Sequence, residues 1–204
     1  MKMEKVRKII ITALMMAIIC VATFVVQIPI PATGGFVNLG DCFVLIAGYL
    51  LGGLYGSLAA GVGSALADIL AGYMQYAPAT LIIKGLMAVV IFCIHKAMSK
   101  ALNGKLTLVS KAVSAVTAEA VMVGGYFFYE AVILKYGLSA AASIVPNMMQ
   151  GLVAIVAYVV LSAAIDKIKF FFRLIKIRIV FSIFLIISLK LVSKEGLFIL
   201  IPLM

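Results

Sequence analysis

The stretch from Gly34 to Gly85 constrains the fold more than any other: GGFVNLGDCFVLIAGYLLGGLYGSLAAGVGSALADILAGYMQYAPATLIIKG. It is apolar enough for a membrane, yet it carries Asn38, Asp41, Asp68, Gln75 and Lys84. An ionisable group in hydrocarbon costs several kcal/mol, so such groups face a bundle interior or a cavity and mark a site. The glycines and alanines between them let helices approach closely. The stretch therefore reads as the second and third transmembrane helices and the start of the fourth, built around a solute pocket.

The rest of the chain agrees. It is 66% hydrophobic with a mean hydropathy of +1.27, well beyond a soluble domain. A span takes about 20 residues, so 204 residues leave room for six helices, short loops and no soluble domain. The apolar runs are too long for barrel strands and lack two-residue alternation. Helices are predicted over 9–28, 37–51, 54–73, 79–94, 112–133 and 144–165. Pro29, Pro31 and Thr33-Gly34-Gly35 make a flexible loop after the first helix. Gly52-Gly53 turns the second helix into the third. The basic N-terminal leader has the look of a signal peptide, but its apolar run is long and reads as a retained helix.

The net charge of +10 sits in three places: the leader, residues 95–111 and residues 166–178. The alternate loops, 29–36, 72–78 and 135–143, hold only Lys135. Cations gather on the cytoplasmic side, so both termini are expected there, in an all-α, multi-pass bundle of a bacterial-type cell membrane. The charge thus serves topology and does not call for nucleic acid. Residues 1–169 form this membrane domain. Residues 170–204 differ in kind: after Ala164 there is no alanine, and Ile, Leu, Phe, Lys and Ser dominate. That tail reads as interfacial or out of frame, and no function is assigned to it.

With that topology, polar residues can be sorted by depth at about 1.5 Å per residue. Asn38 and Asp41 open the second helix at its outer end. Gln75 and Tyr76 follow the third. Lys84 lies just inside the fourth. Tyr126, Tyr129 and Glu130 close the fifth, with Glu119 deeper, and Asn147 and Gln150 open the sixth. All fall in the outer half; the inner half reads as nearly all apolar. Glu119, Met122, Tyr126 and Tyr129 share one helical face, and their rings could sandwich a flat ligand. Plainer readings stand beside these. Lys84 can be a structural partner of Asp41 or Glu119, Asn38 a helix cap, and Tyr129 and Glu130 interfacial residues. Asp68, in mid-helix, reads as a structural hydrogen bonder, and His95 as a solvated helix end. Ala13 and Ala17 form an AxxxA face for close helix packing, either internal or against a partner.

No phosphate-binding loop, HExxH or GxSxG is present, and the lone histidine argues against a metal site. The cysteines Cys20, Cys42 and Cys93 are widely spaced and frame neither disulfide nor zinc. No cofactor or metal is expected.

The segments GGFVNLGDCFVLIAGYLLGGLYGSLAAGVGSALADILAGY, QYAPATLIIKGLMA, AEAVMVGGYFFYEAVI and PNMMQGLVA resemble the substrate-binding S component of energy-coupling factor (ECF) vitamin transporters, over about Val6 to Lys169. The branch is that of the hydroxymethylpyrimidine, pyridoxine and some riboflavin carriers. The resemblance implies a six-helix bundle with an outward-facing vitamin pocket and no catalysis, and a lid formed by residues 29–37. It also implies docking through Ala13 and Ala17 onto a membrane scaffold subunit carried by two ATPases. Two rivals remain at this point. One is a small membrane enzyme using Asp41, Glu119 and Lys84. The other is a proton-coupled carrier using Glu119 or Glu130.

Overall fold

The computed structural model describes residues 2–25, 27–31, 33, 35–103, 105 and 107–168. The tail beyond them, including the reading given to it above, lies outside the described residues. The elements are α1 (Lys2–Val25), β1 (Gln27–Ile30), β2 (Gly35–Asn38), α2 (Asp41–Leu70), α3 (Ala77–Ala101) and α4 (Thr107–Phe128). A π-helical turn, Tyr129–Ile133, extends α4, a 3-10 turn spans Gly137–Ser143, and α5 covers 144–168. Chain contacts group Met1–Ser162 as one compact unit. In the second unit, Ala163–Met204, the described residues 163–168 are helical.

Among the described residues, five helical stretches are long and apolar enough to cross a membrane: Glu4–Val25, Asp41–Leu70, Ala77–Ala101, Thr107–Ile133 and Gly137–Ile168. Their outward faces carry large apolar side chains such as Ile10, Leu54, Leu70, Ile82, Val116 and Val160. In water such a surface would drive aggregation; against lipid it costs nothing. The buried side is built from small residues, among them Ala47, Ala59, Ala60, Ala88, Ala115 and Ala118, which allows short interhelical distances.

Within α2 the backbone breaks at Gly52, with φ +83° and ψ −176°. A left-handed φ there needs glycine. Beyond the break the chain folds back. A Cβ on Gly56 would lie 2.8 Å from the Ala47 carbonyl oxygen and 2.9 Å from Gly48 Cα, whereas eight residues along a straight helix span about 12 Å. The halves 41–51 and 53–70 thus lie side by side, with the reversal where the Gly-Gly pair predicted it.

Two expectations are corrected. The proline-rich segment is not a flexible loop. It is an antiparallel hairpin pairing Gln27 with Asn38, Ile28 with Val37, Pro29 with Phe36 and Ile30 with Gly35. α1 stops at Val25, and Asn38 ends a strand instead of opening a helix. Proline cannot continue a helix but is tolerated in an edge strand, and two four-residue strands are too short to show alternation.

The second correction concerns the end of the bundle away from the hairpin. α3 runs on to Ala101 and α4 starts at Thr107, so residues expected in a basic loop are helical. His95 is not simply solvated. Its Nδ1 lies 2.9 Å from Ser110 Oγ, and its ring meets Tyr49 edge-on at 5.1 Å. The Lys111 ammonium, itself buried, sits 5.0 Å over the Tyr49 ring, and Tyr158 packs against the same ring. This half is not all apolar; it closes around a buried polar and aromatic cluster.

Candidate functional site

At the hairpin end, a pocket opens between the hairpin and the helices. Ile30, Phe36 and Asn38 line it from the hairpin, Asp68 from α2, Tyr76 and Thr80 from the start of α3, Tyr126 and Glu130 from the end of α4, and Asn147 and Gln150 from α5. Its volume is about 390 Å³, counted with the open space at its mouth.

The expected residues converge at this end but play different parts. Asn38, Tyr76, Tyr126, Glu130, Asn147 and Gln150 line the pocket. Asp41, Lys84 and Glu119 sit behind it. The Lys84 ammonium makes a salt bridge to Asp41 Oδ1, with both side chains almost fully buried, and also lies 5.3 Å over the Tyr126 ring. Gln150 donates through Nε2 to Asp41 Oδ2 and accepts through Oε1 from the Asn38 backbone N–H at 2.6 Å. Asn38 Oδ1 in turn accepts from the Gly40 N–H at 2.8 Å. One continuous set of hydrogen bonds thus runs from Lys84 through Asp41 and Gln150 to the hairpin. Glu119 is buried, its side chain lying where a Cβ on Gly151 would come within 3.1 Å of Oε2. Gln75 is exposed, and its backbone carbonyl accepts from the Tyr129 hydroxyl.

Tyr76 ties the hairpin down. Its hydroxyl donates to the Thr33 carbonyl at 2.8 Å and lies 3.1 Å from Glu130 Oε1. Burial and the neighbouring Glu130 push its ionisation above the ordinary tyrosine value, so it stays a donor through the physiological range. The π-turn places Glu130 here, with Tyr136 N–H bonding back to the Glu130 carbonyl at 3.0 Å; such turns concentrate at functional sites. Tyr76 is tilted 55° against Tyr126 and 56° against Tyr129, with centroids 6.5 and 6.0 Å apart.

Sequence reasoning missed Ile30, Phe36, Asp68 and Thr80. The first two depend on the hairpin. Asp68 looked mid-helical because the helix was expected to reach residue 73; it ends at Leu70, which puts Asp68 in the last turn, beside the pocket. Thr80, 2.9 Å from the Tyr126 hydroxyl, gave no signal, because threonine is common in membrane helices. Among the described residues, Asp68 Oδ2, Glu130 Oε2 and both Glu119 carboxylate oxygens have no hydrogen-bond partner. No group of three or more His, Cys, Asp or Glu among them is placed to hold a metal.

Among the described residues, an apolar helical bundle thus carries a polar pocket at its hairpin end, the build of a membrane protein that holds a solute. The sequence matches the family described as "ECF-type riboflavin transporter, S component" over residues 3–167. The chain belongs to that family, which is a family of membrane transporter components and not of enzymes. A solved structure titled "Structure and mechanism of the S component of a bacterial ECF transporter" superposes with a TM-score of 0.59 at 20% identity, covering 80% of this chain and 98% of that one. It shares the fold. An "Uncharacterized protein in gap 3'region" from Pyrococcus woesei is 47% identical over 73 residues, 36% of this chain. The match spans about half (49%) of that relative's length.

Proposed function

We propose that the chain captures riboflavin, or a closely similar flat vitamin, at the outer face of the cell membrane and delivers it to a scaffold subunit and two ATPases for uptake. Unpaired Asp68 Oδ2 and Glu130 Oε2 in the pocket wall carry this reading. Buried acceptors without partners call for hydroxyl or N–H donors, which a polyol side chain and a ring N–H supply. The family's name favours riboflavin over the hydroxymethylpyrimidine and pyridoxine alternatives. Small residues on α1 support the partner reading: Ala13 and Ala17 are exposed on its surface, available to a docking helix. The reversal at Gly52 supports counting α2 as two passes, for six in all. The cations Lys96, Lys100 and Lys105 and those of the leader support placing both termini in the cytoplasm. Release inward then requires the partners to drive it, because the buried cluster around Tyr49 closes the far end.

Mass spectrometry of the small molecule that copurifies with detergent-extracted protein tests the assignment. A stoichiometric flavin is expected. A stoichiometric pyridine or pyrimidine vitamin would replace riboflavin in this reading.

A further inference from the structure

The Gln150 carboxamide bridges two groups that face each other: the Asn38 backbone N–H, which it accepts from, and Asp41 Oδ2, which it donates to. The backbone donor fixes which end of the amide is oxygen. Asp41 is buried on α2, and the Asn38 N–H on the hairpin is part-buried. Gln150 and Asn38 also line two cavities at once. One is the polar pocket. The other is an apolar groove along the far face of the hairpin, walled by Ile28, Val37, Met149 and Val153. Alternation puts Phe36 and Asn38 on one face of β2 and Val37 on the other, so the hairpin is the partition and the Asn38–Gln150 contact is its seam. The groove is open, with Ile28, Met149 and Val153 exposed on its walls.

We propose that Gln150 is a stand-in for the ligand. Its carboxamide occupies the place of a ligand's lactam edge, and it swings aside when that edge arrives. A lactam or imide carries a carbonyl acceptor beside an N–H donor, the same pair in the same order as a primary amide. It therefore satisfies Asn38 N–H and Asp41 Oδ2 without leaving either group unpaired. The apolar edge of a fused ring system then extends into the groove, whose walls are apolar and open. A polyol chain reaches Glu130 and Asn147 in the pocket. This rests on the flavin reading above and adds the orientation of the ligand and a role for Gln150 opposite to direct binding.

The sign of the effect tests it. Gln150→Ala removes the competitor, so riboflavin binding by calorimetry should become at least threefold tighter. Unchanged or weaker binding would show that Gln150 holds the ligand directly and would overturn the inference. If that variant does not accumulate, two other measurements decide. Wild-type protein should bind riboflavin methylated at its imide nitrogen at least tenfold more weakly than riboflavin. Val153→Phe, at an exposed position, should fill the groove and weaken riboflavin binding at least fivefold. Equal affinity in either comparison overturns the inference while leaving riboflavin as the substrate. Failure of the wild type to bind any flavin overturns both.

Discussion

Lys84 and Asp41 form a buried ion pair directly behind the pocket, with side-chain exposures of 2% and 1%. Breaking such a pair from one side leaves an uncompensated charge and typically costs about 3–5 kcal/mol. Lys84→Met should therefore lower the melting temperature in detergent sharply. The double variant Asp41→Asn with Lys84→Met should recover much of the loss, since a neutral pair leaves no bare charge. A single variant that melts like the wild type would show that the pair is not what holds α2 to α3.

Asn147 has the opposite profile. It lines the pocket and is buried, but it lies outside the Lys84–Asp41–Gln150 connections. Asn147→Ala should weaken ligand binding at least tenfold, about 1.4 kcal/mol, with the melting temperature of the ligand-free protein little changed. Calorimetry and thermal melting on the same preparation separate the two effects.

Tyr76 connects hairpin to bundle through the Thr33 carbonyl. A net hydrogen bond of this kind contributes about 0.5–1.5 kcal/mol. Tyr76→Phe should speed ligand dissociation roughly three- to tenfold, read by stopped-flow fluorescence. The direction of its ionisation shift gives a second readout. The unfolded chain loses the tyrosine proton near pH 10, whereas the buried residue holds it longer. Its contribution to stability is complete below that pH and is lost above it. The alkaline fall in stability should be shallower in Tyr76→Phe.

Ala13 and Ala17 lie one turn apart on an exposed part of α1. Replacing both with Leu should leave ligand binding and melting unchanged. Uptake in cells that carry the scaffold and ATPases should fall, because overpacking a close helix contact costs about 1–3 kcal/mol. Normal uptake would place the docking surface elsewhere.

The membrane class, the reversal at Gly52-Gly53 and the end of the bundle that carries the pocket were legible in the sequence. Long apolar runs, paired glycines and the depth of Asn38, Tyr76, Glu130, Asn147 and Gln150 are local signals, and helical rise converts position into depth. The hairpin was not legible, because its strands are four residues each and their pairing is a contact between segments. Misjudged helix ends hid Asp68 and the His95–Lys111 cluster: an error of a few residues moves a polar group from loop to interior.

Sequence alone determined that this chain lies in a membrane and sets a group of polar residues at the end where the pocket lies, because hydrocarbon tolerates such residues only in a shared interior. Tertiary structure decided which of them pair and which remain open. Lys84 chose Asp41 over Glu119, Gln150 bridged Asp41 to the hairpin, and Asp68 and Glu130 kept an oxygen free. Hydrogen bonds of a few ångströms depend on helix rotation and chain reversal, which no spacing along a single helix encodes.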